Sequence, residues 1–555
     1  MRTSSPETFK QLSPSEFFYR NKEIAGFTSP ARALYQTVRE LLENALDATE
    51  AHGIHPEIIV SILREDPSNL NHITVEVEDN GIGLPPQVIP DAFGRVLYSS
   101  KYKYKQSRGM YGLGAKMAIL YGQLTTGKPF EVYSSTPRSK NIYYFKLLID
   151  VKKNEPIVLE RGVWEKRSNW HGTIARLTIE GEWNRRTREQ VLVYVKRTAI
   201  VTPYADITLL MPALDSEERG VNDVEVHRFP RVTELMPKPP RESKPHPMGV
   251  DLEMLKLMLA ETRSRTLTSF LTREFQRIGE KKAGEILRSA GLEPDRDPKS
   301  LTRDELKNLY KALRAESYIS PTSDSLSPIG PEIIEVGLRS AFEPEFVAVI
   351  TRKPKSYGGH PFVVEGGIAY GGKLLERLDK VALESLRGQR GPLVVLLRYA
   401  NKIPLLHDER ADVAWTVVDP EKFPWRATYK LNENDVVVVL IHIASTKVPY
   451  KGVGKESIAQ VEPIEQEVRV LVQELARRLR DFLSSKRRES EAMERLATFL
   501  KYIPEVSRSL ALIASDGSRE NGERLAKALE EKLKSLAYEI VGLKKKDDVM
   551  RGERA

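Results

Sequence analysis

The sequence predicts an α/β protein, an α+β sandwich built of several domains and ending in a long helix. Three observations predict it. Residues 31–199 alternate helix, paired strands, a glycine-rich loop, helix, strands and helix, the order of a sheet covered by helices. Residues 248–317 then show helical periodicity only, set between two proline-rich joints. From residue 331 strands return, and they give way near Glu456 to one long helical pattern. A chain of 555 residues is too long for a single core, so three or four domains are expected.

Each element has its own signal. Residues 1–30 are expected to be irregular, a strap carrying the cluster Phe17, Phe18, Tyr19 and Arg20. Ser29-Pro30 supplies a capping hydroxyl and a proline at the first helical position. The helix from Ala31 to about Ala51 puts Leu34, Val38, Leu41, Leu42 and Ala45 on one stripe. Strands are predicted at Glu57–Leu63 and Ile73–Glu78, the second closing in the turn Asp79-Asn80-Gly81. Residues 91–114 are expected to form a mobile loop feeding a short helix from Ala115 to about Gly122. Strands at 129–135, 141–151 and 173–180 and a helix at 187–199 follow. The prolines from Pro237 to Pro247 mark a joint, as does the Ser320–Gly330 stretch. Beyond it come alternating strands, a helix at 375–387, and the apolar run Val436–Ile441, expected to be a buried strand.

Composition narrows the classes. With 40% hydrophobic residues the chain can build cores, and no stretch reaches the roughly 18 apolar residues that span a bilayer. The N-terminal ten residues are polar, so a cytoplasmic protein with no membrane partner is expected. No cysteine is present, which removes disulfides, thiolate metal sites and thiol nucleophiles together. That absence, with 29% charged residues, fits a thermophile's avoidance of labile side chains and its use of ion pairs. A net charge of +9 permits a nucleic-acid partner without demanding one.

Four short patterns carry chemistry. On the first helix Glu40, Asn44 and Asp47 recur at i, i+4 and i+7, so they share a face. An amide oxygen suits a hard cation such as Mg²⁺, and a carboxylate beside it can orient and deprotonate a water. Asp79-Asn-Gly-Ile-Gly83 follows a strand directly, where a buried carboxylate can accept a hydrogen bond from an amino group while glycine lets a ligand approach the backbone. Gly109-Met110-Tyr111-Gly112-Leu113-Gly114 precedes the helix at Ala115 and Lys116, and backbone N–H groups at such a start bind phosphate oxygens. Gly172-Thr173 opens a later strand.

In this order and at these intervals the four patterns resemble the Bergerat-fold ATPases, the superfamily of gyrase, Hsp90 chaperones, histidine kinases and MutL. The resemblance implies ATP and Mg²⁺ as ligands. It makes Glu40 the general base and Asn44 the metal ligand, and has Asp79 bind the adenine amino group with Thr173 in support. Gly109, Met110, Tyr111, Gly112, Leu113 and Gly114 become a lid over the phosphates. Asp47, Gly83, Ser99, Ser100, Lys101, Ala115 and Lys116 complete the expected nucleotide contacts. Tyr111 departs from the family pattern, standing where several members have histidine.

Residues 331–455 resemble the transducer shared by gyrase, MutL and topoisomerase VI. The resemblance implies a switch lysine on the loop after the Val436–Ser445 strand, where Lys447, Lys451 and Lys455 are candidates and Lys455, nearest the next helix, is favoured. Arg398–Leu406, Thr446–Glu456 and Leu500–Arg508 resemble the B subunits of type IIB topoisomerases, archaeal-type. Phe275–Ala290 resembles a helix-two-turn-helix module, in a segment (263–316) with 13 basic and 9 acidic residues. Trp425–Tyr429 diverges from the family's tryptophan-basic-x-tyrosine pattern. The organisation implied is a strap (1–30), an ATPase domain (31–240), a helix-two-turn-helix-like domain (248–317), a transducer with its long helix (331–487), a helical region (488–543) contacting a second subunit, and a disordered tail (544–555).

No paired aspartates at a strand end and no assignable tyrosine supply strand cleavage: Asp295 and Asp297 sit in an inter-helix loop, and Tyr310 and Tyr318 have no such setting. The resemblance therefore implies an ATP-hydrolysing subunit that dimerises on ATP binding and gates double-stranded DNA. A separate A subunit would make the break, in an A2B2 heterotetramer that relaxes supercoils and decatenates DNA. An Hsp90-like chaperone and a MutL-like clamp are the alternatives, and a histidine kinase is disfavoured because no phospho-acceptor helix precedes the site.

Overall fold

The computed structural model describes residues 11–64, 68–99, 104–109, 112–214, 223–452, 454–514 and 519–541. It divides the chain into two compact units, residues 1–426 with 432–475, and residues 427–431 with 476–555. Ser100, Lys101, Met110, Tyr111 and the 544–555 tail lie outside the described residues.

The first unit holds two sheets. In the N-terminal one, eight strands run in the order β5-β4-β3-β6-β2-β1-β7-β8. They are β1 (Glu57–Leu63), β2 (His72–Asp79), β3 (Phe130–Ser135), β4 (Asn141–Asp150), β5 (Glu155–Glu165), β6 (Gly172–Glu180), β7 (Asp206–Pro212) and β8 (Val224–Phe229). Helices α2 (Pro30–Glu50), α4 (Gly114–Thr126) and α5 (Arg185–Val201) pack against it. Period-2 alternation sends Ile73, Val75 and Val77 of β2 and Ala175, Leu177 and Ile179 of β6 into one core with Leu34, Val38, Leu41 and Leu42 of α2. Continuing that alternation by one step puts Asp79 and Thr173, which are register partners, on the helix-covered face. The sheet's own periodicity thus places a carboxylate under α2.

Several expectations need correction. The first 30 residues are not irregular throughout: Pro14–Arg20 forms a helix, α1, capped by Ser13, and Ser13 and Ser15 hydroxyls anchor it on the Val151 carbonyl at 2.6 and 2.7 Å. The 91–114 segment begins in a helix, α3 (Ile89–Gly94). The helix after it runs to Thr126 rather than ending near Gly122. Gly122 is there because a Cβ would stand 2.6 Å from the Thr178 carbonyl oxygen of β6, and the end is capped by Gly127 at φ +69°. The 375–387 helix is two short ones, Leu374–Arg377 and Lys380–Ser385. They break where Asp379 turns to cap the second and to accept two bonds from Arg197 at 3.0 Å. The long helix starts at Glu462, not Glu456.

The second sheet contains β9 (Phe346–Thr351), β10 (Lys355–Tyr357), β11 (His360–Tyr370), β12 (Leu393–Ala400), β13 (Ile403–Pro404) and β14 (Val436–Ser445). Its centre is β14, antiparallel to β11 and parallel to β12, and buried on both faces as a continuous apolar strand should be. The helix Pro331–Phe342 lies on it, in a core shared with Ile200 and Val201 of α5. Helix α5 thus belongs to both cores, its Val191 and Val195 to the first and its last turn to the second. Between the sheets in sequence, residues 247–315 are helical, with Phe270, Phe275, Ile286 and Leu309 in their own core.

In the second unit the helix that began at Glu462 continues to Ala514, and Arg519–Val541 packs on it through Leu533, Ala537 and Tyr538 against Leu496, Leu500 and Ile503. No helix among the described residues is long and apolar enough to cross a membrane.

Candidate active site

A cavity of about 650 Å³ opens beside α2. It collects Glu40, Asn44 and Asp47 from the helix, Asp79 and Gly83 from the turn after β2, and Thr173 from β6. Ser99, Gly109, Gly112, Leu113, Gly114, Ala115 and Lys116 of the glycine-rich loop and the start of α4 line it, together with Lys455. Every described residue expected to contact a nucleotide therefore reaches one cavity, although they are spread over residues 40–455.

The end under the sheet is sparse. Asp79, 6% exposed, accepts the Gly81 N–H at 2.8 Å, and the Thr173 N–H also reaches it. No cation faces it. Burial therefore pushes its carboxyl up to about 7, against the pull of those two N–H groups. Thr173 is held by the Ser134 hydroxyl at 3.0 Å, which also donates to Gly172 O and accepts from Leu84 N. Sequence reasoning missed Ser134. Its place in β3, paired with Thr173, is visible only once the strand order is known.

The middle is formed by α2 and the start of α4. Gln36, one turn earlier on the helix, donates to Glu40 at 2.8 Å and fixes its carboxylate. Helix α4 has no side-chain cap, so its first N–H groups, with the positive end of the helix dipole, are suited to an anion. Gly114 stands at that start because a Cβ there would collide with the Glu40 carboxylate. Lys116 donates to the carbonyls of Gly112 and Tyr98, tying the two ends of the loop.

The far end is dense with charge. Arg108 bridges Asp47 at 3.3 Å and Glu50 at 2.6 Å. Lys402 meets Glu50 at 2.9 Å, and Lys455 lies 3.4 Å from Glu43, which Arg39 also binds at 2.8 Å. Here burial again pushes the carboxyls up, but Lys455 and Arg39 beside Glu43, and Arg108 and Lys402 beside Glu50, outweigh it and hold both below the usual range. Of the three candidate lysines only Lys455 reaches the cavity. The Lys451 ammonium turns to the Ala411 carbonyl, and Lys447 is absent from the lining. Arg108, Lys402, Glu43 and Glu50 were not singled out from sequence.

Residues 30–149, which run from α2 through α4 into β4, match the family model described as histidine kinase-, DNA gyrase B-, and HSP90-like ATPase. Residues 321–495 match the model for the topoisomerase VI B subunit transducer. The B subunit of type 2 DNA topoisomerase 6 from Saccharolobus islandicus (strain Y.N.15.51) is 48% identical over 93% of this chain and 93% of its own length. The chain belongs to the topoisomerase VI B subunit family. The corresponding protein of Saccharolobus solfataricus, also 48% identical over 93% of both chains, is a second such relative. Among solved structures, the ATPase region of Saccharomyces cerevisiae topoisomerase II bound to ICRF-187 is similar over 85% of this chain and 98% of that one, at 12% identity and a TM-score of 0.39. Membership makes the chain an ATP-hydrolysing type II topoisomerase subunit, with the superfamily's ATPase domain in its first sheet and the family's transducer in its second.

Proposed function

We propose that the cavity beside α2 is the ATP·Mg²⁺ site of a topoisomerase VI B subunit, and that turnover there gates DNA. The observation that carries this is the meeting, in one cavity, of Glu40 and Asn44, the Asp79 turn, the capless start of α4 and a lysine from the transducer. A volume of about 650 Å³ suits a nucleotide.

The donor set fits the ligand. Asp79 would accept from the adenine amino group, Thr173 and Gly83 shaping that end. The N–H groups from Gly112 to Lys116 would hold phosphate oxygens, with Gly109, Met110, Tyr111, Leu113, Ser99, Ser100 and Lys101 closing over them. No group of three or more His, Asp or Glu side chains among the described residues is arranged to hold a metal, which suits Mg²⁺ arriving with the phosphates and gaining one protein oxygen, from Asn44. When bound, Mg²⁺ would offset phosphate charge there. Glu40, held by Gln36, would orient the attacking water and take its proton. Lys455, the transducer's lysine, would sense the γ-phosphate, and Asp47 would stay with Arg108.

On this reading ATP binding pairs two copies through their N-terminal segments, and hydrolysis releases them, because contacts that differ between ATP and ADP are what shift the equilibrium. The transducer and the Glu462–Ala514 helix would carry the movement to an A subunit that cuts one duplex, in an A2B2 assembly that relaxes and decatenates double-stranded DNA. The test is Glu40→Ala. Nucleotide binding should persist while hydrolysis falls at least roughly 100-fold. Wild-type turnover in that variant would remove Glu40 from the chemistry.

A further inference from the structure

At this end of the cavity three carboxylates of α2 (Glu43, Asp47, Glu50) are paired with four cations (Arg39, Arg108, Lys402, Lys455). A phosphate entering here competes with those carboxylates for the cations. Two of the cations come from the transducer, both buried, and their ammonium groups are held at different distances.

Lys455 sits on a loop, 3.4 Å from Glu43 and 3.2 Å from the Arg108 carbonyl, both near the limit of a hydrogen bond. Lys402 lies on the turn between β12 and β13, 5% exposed, its ammonium 2.9 Å from Glu50 and 3.1 Å from the Ser327 hydroxyl. Its backbone N–H donates to His442 Nε2 at 2.9 Å. With Nε2 accepting, the other ring nitrogen, Nδ1, carries the proton and donates to Glu365 at 2.7 Å. Glu365 also accepts from Ile329 N, Gly330 N and Thr351 Oγ1 at 2.5, 3.0 and 3.0 Å. The neighbouring Asn401 donates to Ser107 O of the glycine-rich loop at 3.1 Å and is clamped to Ser445 of β14 by two bonds of 2.9 Å. One turn thus ties the transducer's central strand to the loop and to the last turn of α2.

We propose that Lys402 is a positioning residue: paired with Glu50, it is the fixed joint on which the transducer sits against the nucleotide domain, and Lys455 is the cation that moves. This deepens the reading of the cavity as an ATP site. Lys402 would not exchange Glu50 for phosphate, because doing so would break a close buried ion pair and the contact with Ser327 together, whereas Lys455 has only contacts near the limit to give up. Its loss should uncouple hydrolysis from movement rather than abolish nucleotide binding.

The chain has no cysteine, so Arg138→Cys and Asn434→Cys, both exposed, give a dye pair reporting the nucleotide domain against the transducer. Single-molecule energy transfer on the full chain, with and without a non-hydrolysable ATP analogue, is the measurement. Wild type and Lys402→Arg should each give one narrow distribution that shifts with the analogue. Lys402→Met, and Glu50→Gln/Lys402→Met in which no charge is left unpaired by the change, should broaden it without nucleotide. Their affinity for the analogue should stay within about threefold, while ATP consumed per DNA relaxation, measured with the A subunit, rises at least about fivefold, the lower range of inter-site coupling. A folded Lys402→Met chain, judged by its melting curve, with an unbroadened distribution and unchanged ATP per relaxation would overturn the joint. So would loss of analogue binding in the double variant. If the wild-type chain bound no analogue, the ATP-site reading would fall, and the distribution without nucleotide would still decide the joint.

Discussion

Asp79 and Glu50 are both buried carboxylates on the wall of one cavity, and their environments push them in opposite directions. Among the described residues Asp79 has two backbone N–H groups and no cation, and burial raises it to about 7. Glu50 is buried as well, yet Arg108 and Lys402 hold it below the usual range. The difference separates two tasks. One end of the cavity is built from hydrogen bonds alone, suited to a neutral base that is recognised and released. The other is a compensated array of charge reaching into the transducer, suited to registering added phosphate and passing it on.

Breaking the dense end should have the largest effect. Glu43→Ala leaves Arg39 and Lys455 without their carboxylate, and should destabilise the first unit by about 3–5 kcal/mol, the usual result of removing one partner of a buried ion pair; denaturant unfolding would measure it. A loss below about 1 kcal/mol would mean that the array is hydrated rather than paired. Next, Lys455→Met should lower ATP turnover roughly 10- to 100-fold while Lys451→Met leaves it unchanged, since the Lys451 ammonium faces the Ala411 carbonyl. Equal losses in the two steady-state assays would spoil the choice between them.

The sparse end gives the smallest and most diagnostic effect. Because the folded-state value of Asp79, about 7, lies above its value in the unfolded chain, the folded state holds the extra proton between about pH 4 and 7. Stability from this group is therefore complete below about pH 4 and lost as pH rises through 7. Asp79→Asn should melt at the wild-type temperature near pH 4 and a few degrees higher at pH 8. Its nucleotide affinity should be lower and flat with pH, whereas wild-type affinity should rise through pH 7 as the carboxylate ionises to accept the adenine amino group. A variant that loses stability at pH 8 would mean that the Asp79 charge is compensated after all.

These two ends also differ in how far the sequence discloses them. Asp79, Glu40 and Asn44 are legible because a turn motif and helix spacing are local, and Thr173 through the family resemblance that the order of the motifs carries. Arg108 sat in a stretch expected to be mobile, and Lys402 lies on a hairpin turn 352 residues from Glu50. Nothing local marks either as a partner of α2. Glu43 and Glu50 share the helix with Glu40, but a charged helix face is ordinarily solvated; here Tyr194, Arg108 and the transducer's lysines pack over it. The strands missed from sequence have a similar cause. In β5 Ile157, Val158, Leu159, Val163 and Trp164 are exposed, so its apolar residues follow no core-facing alternation. Strands β7 and β8 lie toward the opposite edge of the sheet; in β7 the buried Ile207, Leu209 and Met211 are interrupted by the apolar Leu210, and in β8 Val224 and Val226 are exposed. Lys455 could be favoured over its neighbours by position in sequence, but its separation from them came from its contact with Glu43.

ATP turnover in this cavity is proposed to work a DNA gate for a separate cutting subunit. It is tested most directly by relaxation of supercoiled DNA with the purified chain, with and without a tyrosine-bearing A subunit, wild type beside Glu40→Ala. ATP-dependent relaxation is expected only when wild-type chain and A subunit are both present. ATP hydrolysis with no relaxation in the presence of a cleavage-competent A subunit, or refolding of client proteins without DNA, would contradict it.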